Sequence, residues 1–123
     1  MLEAEDEEPN RMDLSRMRSL SPVFQEKGTL TARNSSSFID GAADLLVMAE
    51  DHTNVLGFKP LVRIAGYAEA AIAPEWFPLA SVEAIRRVLK MTGLSIADKD
   101  LFEINKAFSA MSLVVNRELG LDP

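Results

Sequence analysis

Residues 41–49, Gly-Ala-Ala-Asp-Leu-Leu-Val-Met-Ala, are apolar nearly all round, with Asp44 the one charged interruption. A surface helix carries a single apolar stripe backed by polar residues. Taken as a helix that starts behind Asp40 as its N-cap, this segment demands cover on more than one side. The rest of the chain must meet that demand. It has 123 residues, enough for one ordinary domain or part of a larger one. With 47% hydrophobic and 26% charged residues, the composition is that of a globular protein rather than a disordered one.

Several function classes fall away on composition. The apolar run is far shorter than the roughly 20 residues that cross a bilayer, so no membrane partner is expected. Five of the first eight residues are acidic, which fits neither a secretory leader nor an Arg-rich transit peptide, and a cytoplasmic protein is expected. A net charge of −6 lacks the basic face that phosphate neutralisation needs, so no nucleic-acid partner is expected. The absence of cysteine removes a disulfide framework, a thiolate metal site and a cysteine nucleophile from these residues. The sole histidine, His52, has no second His or Cys to complete a metal site.

Along the chain, residues 1–21 read as a polar, solvated lead-in with a short helix around 14–20, ended by Pro22. Gln25-Glu26-Lys27-Gly28 is a turn signal, and Asn34-Ser35-Ser36-Ser37 a loop of small polar residues. A short polar helix reaches Leu56 and stops at Gly57. Residues 61–67, branched and partly alternating, read as a strand. Two prolines bracket the loop over 73–78, whose Trp76 reads as a packing anchor. Leu79, Val82, Ile85, Val88 and Leu89 then fall at helical spacing, with Gly93 as the stop. Residues 100–104 read as a second strand, and 107–119 as a helix closed by Gly120. The order strand, helix, strand, helix indicates an α/β layer with a right-handed crossover. Two strands and one all-apolar helix do not close a core, because a parallel pair buried on both faces needs more sheet beside it.

The string FQEKGTLTARNSSSFIDGAA over residues 24–43 resembles the thiolase family, close to its acetyl-CoA acetyltransferases, which carry segments of the type GTVTAxNSSSxxDGAA there. The likeness continues through GFKPLVRI at 57–64, APEWFP at 73–78, DLFEINKAF at 100–108 and RELGLDP at 117–123. It implies an incomplete thiolase-like layered fold, a partial mixed sheet with helices. Residues 1–57 would end the family's N-terminal half and 58–123 start its C-terminal half. The family reaction is reversible condensation of two acetyl-CoA, or thiolytic cleavage of a 3-ketoacyl-CoA, with the coenzyme A thioester as substrate and no resident cofactor. The nucleophilic cysteine, the catalytic histidine and the acid/base cysteine of the family match nothing here, so these residues alone are expected to be inactive.

Residue by residue, the resemblance puts Ser36 on the pantetheine arm of coenzyme A, with Phe24 and Ala32 lining the same ligand. Ala107 and Phe108 would lie near the acyl-CoA. Asn105, at the end of a strand where open α/β sheets bind ligands, would hold a water beside the thioester or enolate oxygen. Each has a plainer reading. Ser36 fits a turn capping the next helix, Phe24 fits core, and Asn105 fits a side chain bonding its own backbone. Four positions depart from the family pattern: Arg33 for Ala or Gly, Ile39 for a polar residue, Ser81 for Pro, and Lys106 for Glu. Arg33 and Lys106 would either attract coenzyme A phosphates or intrude sterically. Self-association or binding to a thiolase subunit is the expected protein partnership. The alternatives to an enzyme part are a non-catalytic remnant or interaction protein, and a product without function of its own.

Overall fold

The computed structural model describes residues 7–122. The acidic lead-in over residues 1–6 lies outside them. Four α-helices follow in order: α1 (Glu7–Arg11), α2 (Glu50–Leu56), α3 (Ala80–Thr92) and α4 (Ser109–Leu119). Short 3-10 segments occupy Leu14–Ser19, Ala32–Asn34, Pro74–Leu79 and Ile96–Asp98.

The glycine stops act as expected. Gly57, Gly93 and Gly120 all sit at φ between 67° and 69°, a left-handed conformation that costs other residues about 1–2 kcal/mol. In each case the next N–H reaches back to the carbonyl five residues earlier: Phe58 to Thr53, Leu94 to Leu89, and Leu121 to Asn116. That closure satisfies carbonyls the helix end leaves open.

The packed part of the molecule is the junction of α3, α4 and the 3-10 turn that leads into α3. Val82 and Val115 are fully buried there. Arg86 reinforces it from the exposed side: its guanidinium donates to Glu83 Oε1 on its own helix at 3.2 Å and to the Glu118 carbonyl of α4 at 3.1 Å. The segment before α3 lies against that helix. Arg87 donates to the Glu69 carbonyl at 2.9 Å, and a Cβ on Gly66 would come within 2.6 Å of Thr92 Cγ2.

Three expected elements are not formed. Residues 36–49 carry no regular secondary structure, so Asp40 caps no helix and the first turn of α2 begins only at Glu50. Residues 61–67 and 100–104 form no strand, and among the described residues the only β-pairing is an isolated antiparallel bridge between Ser35 and Phe108. The reason is common to all three. A short, continuous apolar run does not distinguish a buried helix from a buried strand by periodicity. A strand also needs a neighbour for its N–H and C=O groups, and no described segment pairs with these. Several of their apolar side chains are bare: Leu45 and Leu46 are 82% and 80% exposed, Leu61 95%. The cover that the run over 41–49 demands is therefore not supplied within the described residues.

Candidate functional site

The site forms where the loop around Ser36 meets the approach to α4. Asn34 organises that loop. Its Oδ1 accepts from the Thr31 N–H and its Nδ2 donates to the Thr29 carbonyl, both at 2.8 Å. Ser35 Oγ donates to the Thr31 carbonyl at 2.7 Å, which tightens the same turn. These bonds present Ser36 to a segment 70 residues further along the chain. There its N–H donates to the Ala107 carbonyl at 2.9 Å, and its hydroxyl donates to the Lys106 carbonyl. With the Ser35–Phe108 bridge beside them, these contacts clip the loop onto residues 106–108.

Aromatic side chains close one side. The rings of Phe24 and Phe108 meet edge-on, with centroids 5.7 Å apart and planes at 85°. Phe77, from the 3-10 turn before α3, meets Phe108 at 6.2 Å and 66°. Such edge-to-face pairs are favourable because the positive rim of one ring faces the negative face of the other. Phe24 remains 65% exposed, so it is a wall rather than core.

The structure thus joins Phe24, Ser36, Ala107 and Phe108 directly. Ala32 lies to one side, in a groove of about 320 Å³ that it shares with Arg16, Leu20 and Arg33. Asn105 is exposed, one residue before the carbonyl that Ser36 engages, and its side chain makes no hydrogen bond among the described residues. The turn-forming bond that would have made Asn105 merely structural is not made. Ser36 likewise caps no helix. Asn34 and Phe77 were not among the candidates from sequence. Asn34 was legible as a turn-forming residue ahead of a Ser run, whereas Phe77 was not, because its role depends on a contact with another segment.

Electrostatically the neighbourhood is uneven. Asp13 has a carboxyl held below its ordinary value, chiefly by the Ser15 hydroxyl that donates to it at 2.6 Å, with the Arg33 charge contributing. Asp98 is lowered in the same manner by Ser95, whose N–H and hydroxyl both donate to Oδ2 at 2.7 Å. No group of three or more His, Asp or Glu among the described residues could hold a metal ion. His52 is exposed on α2. The assembled groups bring a serine hydroxyl, the Lys106 and Ala107 carbonyls and an aromatic wall together. The thiolate and base that acyl transfer requires have no candidates among them.

Comparison with known proteins bears on this arrangement. Residues 58–123 match the thiolase C-terminal domain and residues 1–51 the thiolase N-terminal domain. The mitochondrial acetyl-CoA acetyltransferase of Bos taurus is 46% identical over 120 residues, which is 97% of this chain and 28% of that protein. A probable acetyl-CoA acetyltransferase of Dictyostelium discoideum is 43% identical over 118 residues, 96% of this chain and 28% of its own length. Among solved structures, the Bacillus anthracis acetyl-CoA acetyltransferase superposes with a TM-score of 0.85 at 38% identity, over 91% of this chain and 28% of that one. A thiolase from Ascaris suum in complex with coenzyme A gives 0.87 at 34% identity, over 97% and 32%. The chain thus spans a little over a quarter of the length of these relatives, with a thiolase-like fold over that span. The matches give no support to the remnant, interaction-protein or functionless readings. No described helix is long and apolar enough to cross a membrane. With its second half matched to one domain of the family and its first 51 residues to the other, the chain belongs to the thiolase family.

Proposed function

We propose that this chain supplies part of the coenzyme A pocket and the oxyanion-side asparagine of a thiolase-type acyltransferase. The reaction is acyl transfer and Claisen condensation between acyl-CoA thioesters, of the acetyl-CoA C-acetyltransferase kind. The observation that carries this reading is the pair of bonds from Ser36 to the Lys106 and Ala107 carbonyls. It places the small-residue loop against the Asn-Lys-Ala-Phe turn. In this reading residues 1–57 belong to the family's N-terminal half and 58–123 to its C-terminal half.

The residues divide the work. Because the Ser36 hydroxyl hydrogen is committed to Lys106, its oxygen presents lone pairs to a ligand N–H, such as an amide of a pantetheine arm. Phe24 and Phe108 form an apolar wall for the arm, and Ala32 and Ala107 let it approach the backbone. Asn105 Nδ2, uncommitted to any described group, is free to hold a water or the thioester oxygen as negative charge develops there. Coenzyme A is a substrate in this scheme, and no resident cofactor takes part. The thiolate that accepts the acyl group is not supplied by these residues.

The test is an amide NMR titration with coenzyme A. Shifts concentrated at Ser36, Ala107 and Phe108 are expected, and Ser36→Ala should weaken binding about tenfold, the loss of one hydrogen bond in a ligand site. Shifts confined to other residues would overturn the assignment. A cytoplasmic location belongs to the same proposal. Because relatives such as the Bos taurus enzyme are mitochondrial, fractionation of cells carrying the tagged protein decides between the two compartments.

A further inference from the structure

Ser21 is the only serine or threonine of the chain that precedes a proline. Arg18 stands three residues before it and Arg16 five, and no acidic residue falls between Leu14 and Pro22. Proline has no N–H and disfavours helical backbone in the residue before it. The 3-10 segment over Leu14–Ser19 accordingly ends at Leu20, extended at φ −74° and ψ 133°, and Ser21 carries no regular secondary structure. Arg16, Arg18, Ser19 and Ser21 are all exposed.

The serines that follow an arginine at this spacing differ in what their hydroxyls do. Ser19 follows Arg16 and Ser36 follows Arg33, but neither precedes a proline. Ser19 Oγ donates to the Arg16 carbonyl at 2.9 Å, and Ser36 Oγ donates to the Lys106 carbonyl. Ser21 Oγ makes no hydrogen bond among the described residues, and neither do the Arg16 and Arg18 guanidiniums. No side chain of the 3-10 segment is buried, so the segment opens at little cost and residues 16–22 can lie extended in a cleft. A planar guanidinium there is recognised by carboxylates, and Pro22 suits a cleft that asks for no N–H after the acceptor.

We infer that Ser21 is a phosphorylation site, the acceptor for a protein kinase that reads proline at the next position and arginine three before. Ser21 Oγ attacks the γ-phosphorus of a nucleoside triphosphate and forms an O–P bond. The bond from that phosphorus to the bridging oxygen breaks, the nucleoside diphosphate leaves with the electron pair, and the serine proton passes to a carboxylate of the kinase. The product adds a charge of about −1.5 to −2, which offsets the two arginines of a stretch that has no acid of its own.

The chain is incubated with magnesium ATP and a proline-directed kinase that prefers arginine at the third position before the acceptor, and the phosphate is located by peptide mass spectrometry. Labelling of Ser21 is expected, abolished by Ser21→Ala and unchanged by Ser19→Ala. Pro22→Ala and Arg18→Ala should each slow labelling about tenfold, the latter by loss of one charge-assisted bond, with Arg18→Lys recovering part. Because Arg18 is exposed and makes no side-chain bond among the described residues, its replacement reads recognition rather than folding. Phosphate on Ser19 or Ser36 in place of Ser21, no incorporation, or a rate indifferent to both Pro22→Ala and Arg18→Ala would each overturn the assignment.

Discussion

Ser36 and Asn105 illustrate how one side chain can be committed and another left available at adjoining positions. Ser36 uses both its donors on successive carbonyls, so it is fixed in place and can only accept from a ligand. Asn105 makes no bond of its own among the described residues, which leaves its amide donors open for the proposed oxyanion role. In an assembled thiolase active site carrying this segment, Asn105→Ala should lower kcat by about 10²–10³, the cost of one oxyanion donor. Steady-state kinetics should show little change in KM, and an equal change in both parameters would contradict the assignment. Asp98 offers a second residue-scale test. Its folded pKa is depressed below 3.8 by Ser95, so any stabilisation it provides is present above the unfolded pKa and disappears as pH falls through the folded one. A carboxyl-carbon NMR titration should find its midpoint below 3.8, and Ser95→Ala should move that midpoint upward.

At the scale of elements, the α3–α4 junction carries most of the packing. Val115 is 0% exposed and Val82 2%. Replacing either by Ala removes two buried carbon groups and leaves a void, which should cost about 2 kcal/mol, read from the urea midpoint. Gly66 tests the contact between the segment before α3 and the helix itself. Thr92 cannot simply rotate its methyl away, because its hydroxyl donates to the Val88 and Leu89 carbonyls at 2.8 and 3.2 Å. Gly66→Ala should therefore destabilise by about 1–3 kcal/mol. Adding Thr92→Ser, which deletes the clashing methyl, should restore part of the loss. Such coupling between contacting residues is what a double-mutant cycle measures, and strictly additive effects would place Gly66 away from Thr92.

For the whole molecule, the accessible surface of 11230 Å² is the governing quantity. A compact folded monomer of this mass exposes only about 6500 Å² by the usual scaling. Large apolar side chains contribute to the excess: Phe38, Ile39, Leu45, Leu46, Leu61 and Val62 are each at least 80% exposed. Exposed apolar surface of this kind binds hydrophobic dyes and drives association. The isolated chain should enhance the fluorescence of an anilinonaphthalene sulfonate dye and sediment as a concentration-dependent mixture of species. A monodisperse monomer that ignores the dye would show these segments to be covered in solution. Glu substituted at Leu45 or Leu61 should reduce the association.

The helices α2, α3 and α4 and their ends were legible from single stretches of sequence, since helix hydrogen bonds close within the segment and each stop is a local glycine geometry. The family membership was legible too, because several motifs keep their order along the chain. The fates of residues 41–49, 61–67 and 100–104 were not, because a strand is defined by a neighbour that its own residues do not encode. The candidate site divides along the same line. Phe24, Ala32, Ser36, Asn105, Ala107 and Phe108 could be named from their motifs. Only the tertiary structure could bring Ser36 onto the carbonyls of Lys106 and Ala107, set Phe77 against Phe108, and place Arg16 in one groove with Arg33. Each of those contacts joins segments that sequence spacing leaves independent, and only packing decides which of them meet.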